Sequence, residues 1–180
     1  QGIERAVAVA DTGVDAGAAS SQAILTTDSH PKTSVTTLEV EGGVITIGGM
    51  AKGAGMLAPG LATMLVVITT DALVESIQLD RALRAATRLT FDRLDSDGAM
   101  STNDQVTLMA SGASGLSPDE TAFGAALTSL CADLAQQLLA DAEGSSHDIT
   151  ITVTGAHSEE DAVKIGRAVA RNNLFKAAMF

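Results

Sequence analysis

Residues 48–72 read GGMAKGAGMLAPGLATMLVVITTDA, and the order of residue types within them decides how the chain folds. A glycine-rich, proline-punctuated loop (Gly53, Gly55, Pro59, Gly60) runs into Leu61, Ala62 and Thr63, and then into the apolar run 64–68. Glycine tolerates positive φ and close backbone approach, so such a loop can bend sharply against a substrate or against its own chain. The run after it is β-branched and apolar on both faces, which predicts a strand covered on two sides. Thr63 therefore stands where permissive backbone becomes buried strand. Its hydroxyl is held from one side and reached through a loop from the other.

From spacing alone the plainer account, an ordinary loop feeding a core strand, is favoured. Gly53-Ala-Gly55-Met-Leu-Ala58 also fits a dinucleotide fingerprint. That motif needs a helix to open at the glycines, and Pro59-Gly60 followed by a strand argue against it. Residues 61–74 carry Asp71 and fall short of the ~20 apolar residues that a membrane span requires.

Working outward, 180 residues suit one domain with a real core. Apolar residues make up 46% and charged residues 18%, which excludes disorder; with no Trp or Tyr, the core falls to Leu, Ile, Val, Ala and Met. A net charge of −11 and a pI near 4.5 exclude nucleic acid as a partner, because phosphate contacts need clustered Lys and Arg. The same charge disfavours an anionic membrane. The single cysteine, Cys131, has no internal disulfide partner and reads as core; without a signal or Arg-rich transit segment, a reducing, cytoplasmic compartment is expected. The chain starts at Gln1 without methionine and stops at Phe180 in an apolar stretch, as a piece of something longer would.

Upstream of the loop, residues 2–10 are compatible with an amphipathic helix, and 15–25 predict a short helix ending at Thr26-Thr27-Asp28, with Pro31 blocking continuation. These polar residues suit either a ligand or a capped helix end, the latter favoured, and His30 in the same turn reads as exposed. Residues 34–40 and 44–47 predict a hairpin turning at Glu41-Gly42-Gly43.

Downstream, Ser76 is expected to cap a helix over 77–94 whose apolar face (Leu79, Ala82, Leu83, Ala86, Leu89) packs on the sheet. Asp92, Asp95 and Asp97 before Gly98 suggest a calcium loop, but the EF-hand register puts Arg93 where a carboxylate is needed, so a solvated acidic turn is the better account. Ser101-Thr102-Asn103-Asp104 can line a site or make local turns. They precede a strand over 105–110. Ser117, Pro118 and Glu120 form a helix start, and Phe123, Leu127, Leu130, Leu134 and Leu138 recur at helical spacing. That helix ends near Asp141, Glu143 and Gly144, where acidic charge opposes the macrodipole and invites either a functional or a hydrated reading of Glu143. Residues 148–154 alternate as a half-buried strand, and Ser158 with Asp161 caps a last helix to about Ala170. His147 and His157 stand singly, and no metal site is expected. Together these elements predict an α/β protein of α+β type, a mixed β-sheet with helices packed on it.

Met50-Ala51-Lys52-Gly53-Ala54-Gly55-Met56-Leu57-Ala58-Pro59, followed by Ala62-Thr63-Met64-Leu65 and Thr69-Thr70-Asp71-Ala72, closely resembles the ornithine acetyltransferases (glutamate N-acetyltransferases) of arginine biosynthesis. Leu25-Thr26-Thr27-Asp28, the block from Thr90 to Asp95, Ser101-Thr102-Asn103-Asp104, Asp141-Ala142-Glu143-Gly144 and Asn173-Leu174-Phe175-Lys176 look like further family blocks in family order. The resemblance implies the central portion of a layered, self-cleaving fold, cut between Ala62 and Thr63 into an α chain (1–62 here) and a β chain (63–180 here), one structural domain in all. It implies Thr63 as nucleophile and Thr26, Lys52, Thr63 and Glu143 as substrate-binding residues. The implied reaction passes the acetyl group of N-acetylornithine to glutamate through an acetyl-Thr63 intermediate, without a cofactor or metal, in a heterotetramer of α and β chains; acetyl-CoA stays open as a second donor. The family's Thr-Gly oxyanion pair is expected upstream, since Thr12-Gly13 sits too close to Thr26, and further substrate contacts are expected after Phe180. Two alternatives compete with this one: an aminopeptidase or amidase on the same self-cleaving scaffold, and a non-enzymatic acidic binding domain.

Overall fold

A computed structural model describes residues 1–55, 64–96, 98 and 103–179. Helices α1 (Gly2–Ala8) and α2 (Ala16–Ala23) lead into strands β1 (Lys32–Val40), β2 (Gly43–Lys52) and β3 (Leu65–Thr70). Helix α3 (Ser76–Leu89), β4 (Gln105–Ala110), α4 (Glu120–Ala140), α5 (Glu159–Ala170) and α6 (Asn173–Met179) follow. The strands form one mixed sheet in the order β1-β2-β3-β4, the first two pairings antiparallel and the last parallel. This is the predicted α/β class with helices on a mixed sheet.

The hairpin turns where expected. Val40 pairs with Gly43, leaving Glu41 and Gly42 in the bend, and Gly42 takes φ 95°, a conformation that glycine adopts without strain. Strand β2 runs five residues past its expected end at Ile47 because both neighbours hold it: Lys32 opposes Ala51 on one side and Leu65 opposes Lys52 on the other. Gly48 and Gly49 do not break it. A Cβ on Gly49 would lie 3.0 Å from Leu134 and 3.1 Å from Leu130, so the glycine lets α4 approach the sheet closely.

The core is the layer between that sheet face and α4. Ile45, Ile47, Ala51, Val66 and Ile68 meet the α4 stripe of Phe123, Leu127, Leu130, Leu134 and Leu138, all buried. The opposite face is open among the described residues, with Val35 70%, Val44 50% and Met109 50% exposed. β3 is therefore fully covered on one face rather than on both as expected.

Three other expectations are corrected. Helix α3 packs on α4 and the turn Phe91–Arg93 rather than on the sheet, because the larger α4 stripe already occupies the strands and α3 offers the small buried surfaces of Ala82 and Ala86. The caps shift by a residue or two: Glu75 precedes α3, with its N–H donating to Gln78, and Asp119 caps α4 by accepting from the N–H groups of Thr121 and Ala122, both 3.0 Å away. Residues 148–154 do turn Ile149, Ile151 and Val153 inward, but they join no ladder among the described residues; alternation fixes the facing, while a strand also needs an edge to pair with. Ser158 caps α5 by accepting from the N–H of Asp161, as predicted. No helix of the described residues is long and apolar enough to cross a membrane.

Candidate functional site

Lys52 ends β2 and is 5% exposed. Its ammonium donates to the Thr26 hydroxyl at 2.9 Å, and among the described residues no carboxylate lies within ion-pair distance of it. A buried ammonium satisfied by one neutral hydroxyl is short of a counter-charge. Thr26 lies in the exposed turn after α2.

Asp28 organises the same turn. Its carboxylate accepts from the backbone N–H of Thr26 (3.2 Å) and of Gly53 (2.6 Å), so the segment bearing Thr26 is tied to the residue that follows Lys52. Burial pushes the Asp28 carboxyl up, but the hydrogen bonds from Gly53, Lys32 and Thr26 outweigh it and hold it below its ordinary value.

Lys32, fully buried, spans the next gap. Its ammonium lies 2.7 Å from Asp28 Oδ1 and 2.5 Å from Asp141 Oδ2. Asp141, the residue that ends α4, also accepts from the Ser29 N–H (2.9 Å) and hydroxyl. Burial works against its ionised form, yet bonds from Lys32 and Ser29 bring its carboxyl down to about 2. The acid at this helix end is thus answered by a buried cation rather than by water. Ser29 Oγ also contacts His30 Nδ1 at 2.8 Å, but its proton is directed to Asp141, and His30 is 53% exposed at its side chain as expected.

Glu143 follows two residues on. Its N–H donates to the Ala54 carbonyl at 2.5 Å, and a Cβ on Gly55 would sit 3.9 Å from its carboxylate. The carboxylate faces a cavity of about 170 Å³ whose lining includes Gly55, Ser96, His147, Phe175 and Lys176. The Glu143 backbone is therefore bound two residues beyond Lys52, so that a buried cation and an exposed carboxylate are carried by segments tied at the end of β2. That pairing suits a ligand carrying both a carboxylate and an ammonium group.

Of the four predicted binding residues, the structure joins Thr26 to Lys52 directly and Glu143 to the same loop through Ala54. Ala62 and Thr63 lie outside the described residues, as do Ser101 and Thr102. Met64, beside Thr63, is buried; its N–H donates to Asp104 Oδ1 at 2.8 Å and its carbonyl accepts from the Gln105 N–H at 2.9 Å. Asp104 thus makes no merely local turn but anchors the start of β3 across 40 residues. Asp95 is likewise not solvated: its side chain is 8% exposed, accepts from the Gly98 N–H and pairs with Arg171 at 2.9 Å. The roles of Asp28, Lys32 and Asp141 were not read from sequence. The available signal was Lys32 itself, a charge on the inward face of a strand that otherwise turns Ser34, Thr36 and Leu38 inward.

Comparison with known proteins adds an independent finding. The profile described as the ArgJ family matches residues 1–180. The protein named arginine biosynthesis bifunctional protein ArgJ in Streptomyces avermitilis is 59% identical over 99% of this chain and 45% of its own length. That of Thermobifida fusca is 57% identical over 96% of this chain and 44% of its own. The chain therefore spans less than half the length of these relatives. A crystal structure of the ArgJ protein from Bacillus halodurans superposes with a TM-score of 0.53 and 35% identity, covering 62% of this chain and 55% of that one.

Proposed function

The chain belongs to the ArgJ family, and from that premise we propose that it carries the donor- and acceptor-binding part of an acetyltransferase that moves the acetyl group of N-acetylornithine to glutamate through Thr63. The observation that carries this reading is Lys52, a buried ammonium beside the Thr26 hydroxyl with no carboxylate of its own among the described residues. An α-carboxylate of the substrate supplies the missing charge. Glu143, tied to the same loop, offers the complementary anion for a substrate ammonium.

A threonine hydroxyl is a weak nucleophile, and cleavage between Ala62 and Thr63 frees an α-amine of pKa ~8 on the same residue to act as its base. Thr63 Oγ bonds to the acetyl carbonyl carbon, the amide C–N bond breaks, and the hydroxyl proton passes through the amine to the departing ornithine nitrogen. Attack by the glutamate amine on the acetyl ester then regenerates Thr63. Both amino acids share the α-carboxylate that Lys52 is suited to hold, which is why one site serves both half-reactions. In this reading the oxyanion donors, worth ~3–4 kcal/mol in such reactions, belong to the part of the longer relatives that this chain does not span.

In this reading residues 1–62 and 63–180 belong to the α and β chains of a cytoplasmic heterotetramer that needs no cofactor, and acetyl-CoA is a candidate second donor. The hydrolase alternative is not favoured, since the relatives from Streptomyces avermitilis and Thermobifida fusca carry an arginine-biosynthesis name.

The test uses protein expressed from the complete reading frame. Intact mass is expected to reveal two pieces that meet between Ala62 and Thr63, and N-acetylornithine plus glutamate is expected to yield ornithine. Thr63→Ala abolishes both. Absence of ornithine together with absence of acetyl on Thr63 would sink the proposal, and ornithine released equally fast without glutamate would replace it with a hydrolase.

A further inference from the structure

Among the described residues the Lys32 side chain makes no hydrogen bond to Thr26, Lys52 or Glu143, yet every segment that bears one of them is linked to it. Its ammonium is fully buried between Asp28 (2.7 Å) and Asp141 (2.5 Å). Asp28 sits two residues after Thr26 and accepts from the N–H of Gly53, next to Lys52. Asp141 sits two residues before Glu143, whose own N–H returns to Ala54. Asp28 reaches Lys32 from the turn after α2, and Asp141 from the end of α4; in sequence the two carboxylates are widely separated.

An ion triad of this kind is a poor way to gain stability, because apolar side chains of similar volume commonly do as well or better. What it supplies is direction, since each carboxylate must sit at hydrogen-bond distance from one nitrogen. We propose that Lys32 is a positioning residue that locks the Thr26 turn, the Lys52–Gly53 strand end and the Glu143 helix end into one register, and so sets affinity for both amino-acid substrates without contacting either. The inference rests on the acetyl-transfer reading above.

Three variants of the complete protein test it by steady-state kinetics with N-acetylornithine and glutamate. Lys32→Met removes the hub and leaves both carboxylates without the lysine counter-charge. The triple variant Lys32→Met, Asp28→Asn, Asp141→Asn removes the stranded charges as well. Asp141→Asn alone keeps Lys32 paired with Asp28 and releases only the Glu143 side. The expected result is a KM raised at least tenfold for both substrates in the first two and at least threefold in the third, with kcat changed less than threefold in each. The triple variant is expected to regain much of the melting temperature lost in Lys32→Met without regaining KM. If KM returns to the parent value together with thermal stability, or if Asp141→Asn leaves KM within twofold, Lys32 only supports the fold and the proposal is overturned. An inactive parent overturns the acetyl-transfer reading and this inference with it, whereas an active parent with unchanged variants overturns the role of Lys32 alone.

Discussion

A methyl group added at Gly49 tests the packing that delivers Glu143 to the site. The Cβ of Gly49→Ala would lie 3.0 Å from Leu134 Cδ1, 3.1 Å from Leu130 Cδ2 and 3.4 Å from Ile68 Cγ1, and those three side chains are 0%, 1% and 0% exposed. Close-packed neighbours have nowhere to yield, so overpacking costs ~1–3 kcal/mol. The stiffer unfolded chain returns ~0.4–1 kcal/mol of that, leaving a net loss that spans ~0–2.6 kcal/mol and centres a little above ~1 kcal/mol for Gly49→Ala, and more for Gly49→Val. Urea unfolding followed by circular dichroism measures it. Leu134→Ala alone opens a cavity at ~2–5 kcal/mol, but the added methyl partly fills that space, so the double variant should recover at least ~1 kcal/mol relative to the sum of the singles. A stabilising Gly49→Ala, or single effects that simply add in the double variant, would show that α4 does not bear on β2 here, and that the position of Glu143 has another origin.

Two further expectations concern protons and thiols. Against burial, the bonds from Lys32 and Ser29 hold the Asp141 carboxyl at about 2 rather than 3.8, so the stability it contributes is present above pH 4 and is lost as the pH falls from about 4 toward 2; Asp28 is shifted in the same direction. Unfolding free energy measured across that window should decline less steeply in Asp141→Asn than in the parent, and an unchanged acid limb would refute the pairing. Cys131 is fully buried in the α4 stripe, and burial pushes its thiol up to about 12. At pH 8 a disulfide reagent should therefore label it only as fast as the fold opens, and labelling at the rate of a free thiol would contradict its place in the core.

The parts of this fold legible in the sequence are those decided by neighbours along the chain. Glu41-Gly42 specified its hairpin because only local backbone geometry was at stake, and the spacing of Leu127, Leu130, Leu134 and Leu138 fixed which face of α4 is buried. What α3 would rest on was not legible, since Ala82 and Ala86 fit a helix or a sheet equally well, and the strands are covered by the larger apolar stripe of α4. Residues 149, 151 and 153 announced their facing but could not announce a partner edge. The site divides in the same way. Thr26, Lys52 and Glu143 followed from resemblance, whereas the bonds from Lys32 to Asp28 and Asp141, and from Met64 to Asp104, connect residues up to 109 positions apart that no local pattern links.

The antiparallel pairing of β2 with β3 carries a consequence for a nicked polypeptide. Ile47–Lys52 and Leu65–Thr70 lie on opposite sides of the proposed Ala62–Thr63 scission, and α4, which would belong to the second piece, rests on β1 and β2, which would belong to the first. The break would thus fall in a connection between two strands that remain zipped to each other. Neither piece owns a complete hydrophobic layer, so scission would not release either one. It would instead turn a single-molecule folding problem into an association, reversible only while both halves are still at hand, with a melting point that rises with concentration where an uncut chain's would not. A protein cut in this way would pass through its intact form once, and the fold it kept afterwards would be a complex of two fragments joined along a seam of main-chain hydrogen bonds.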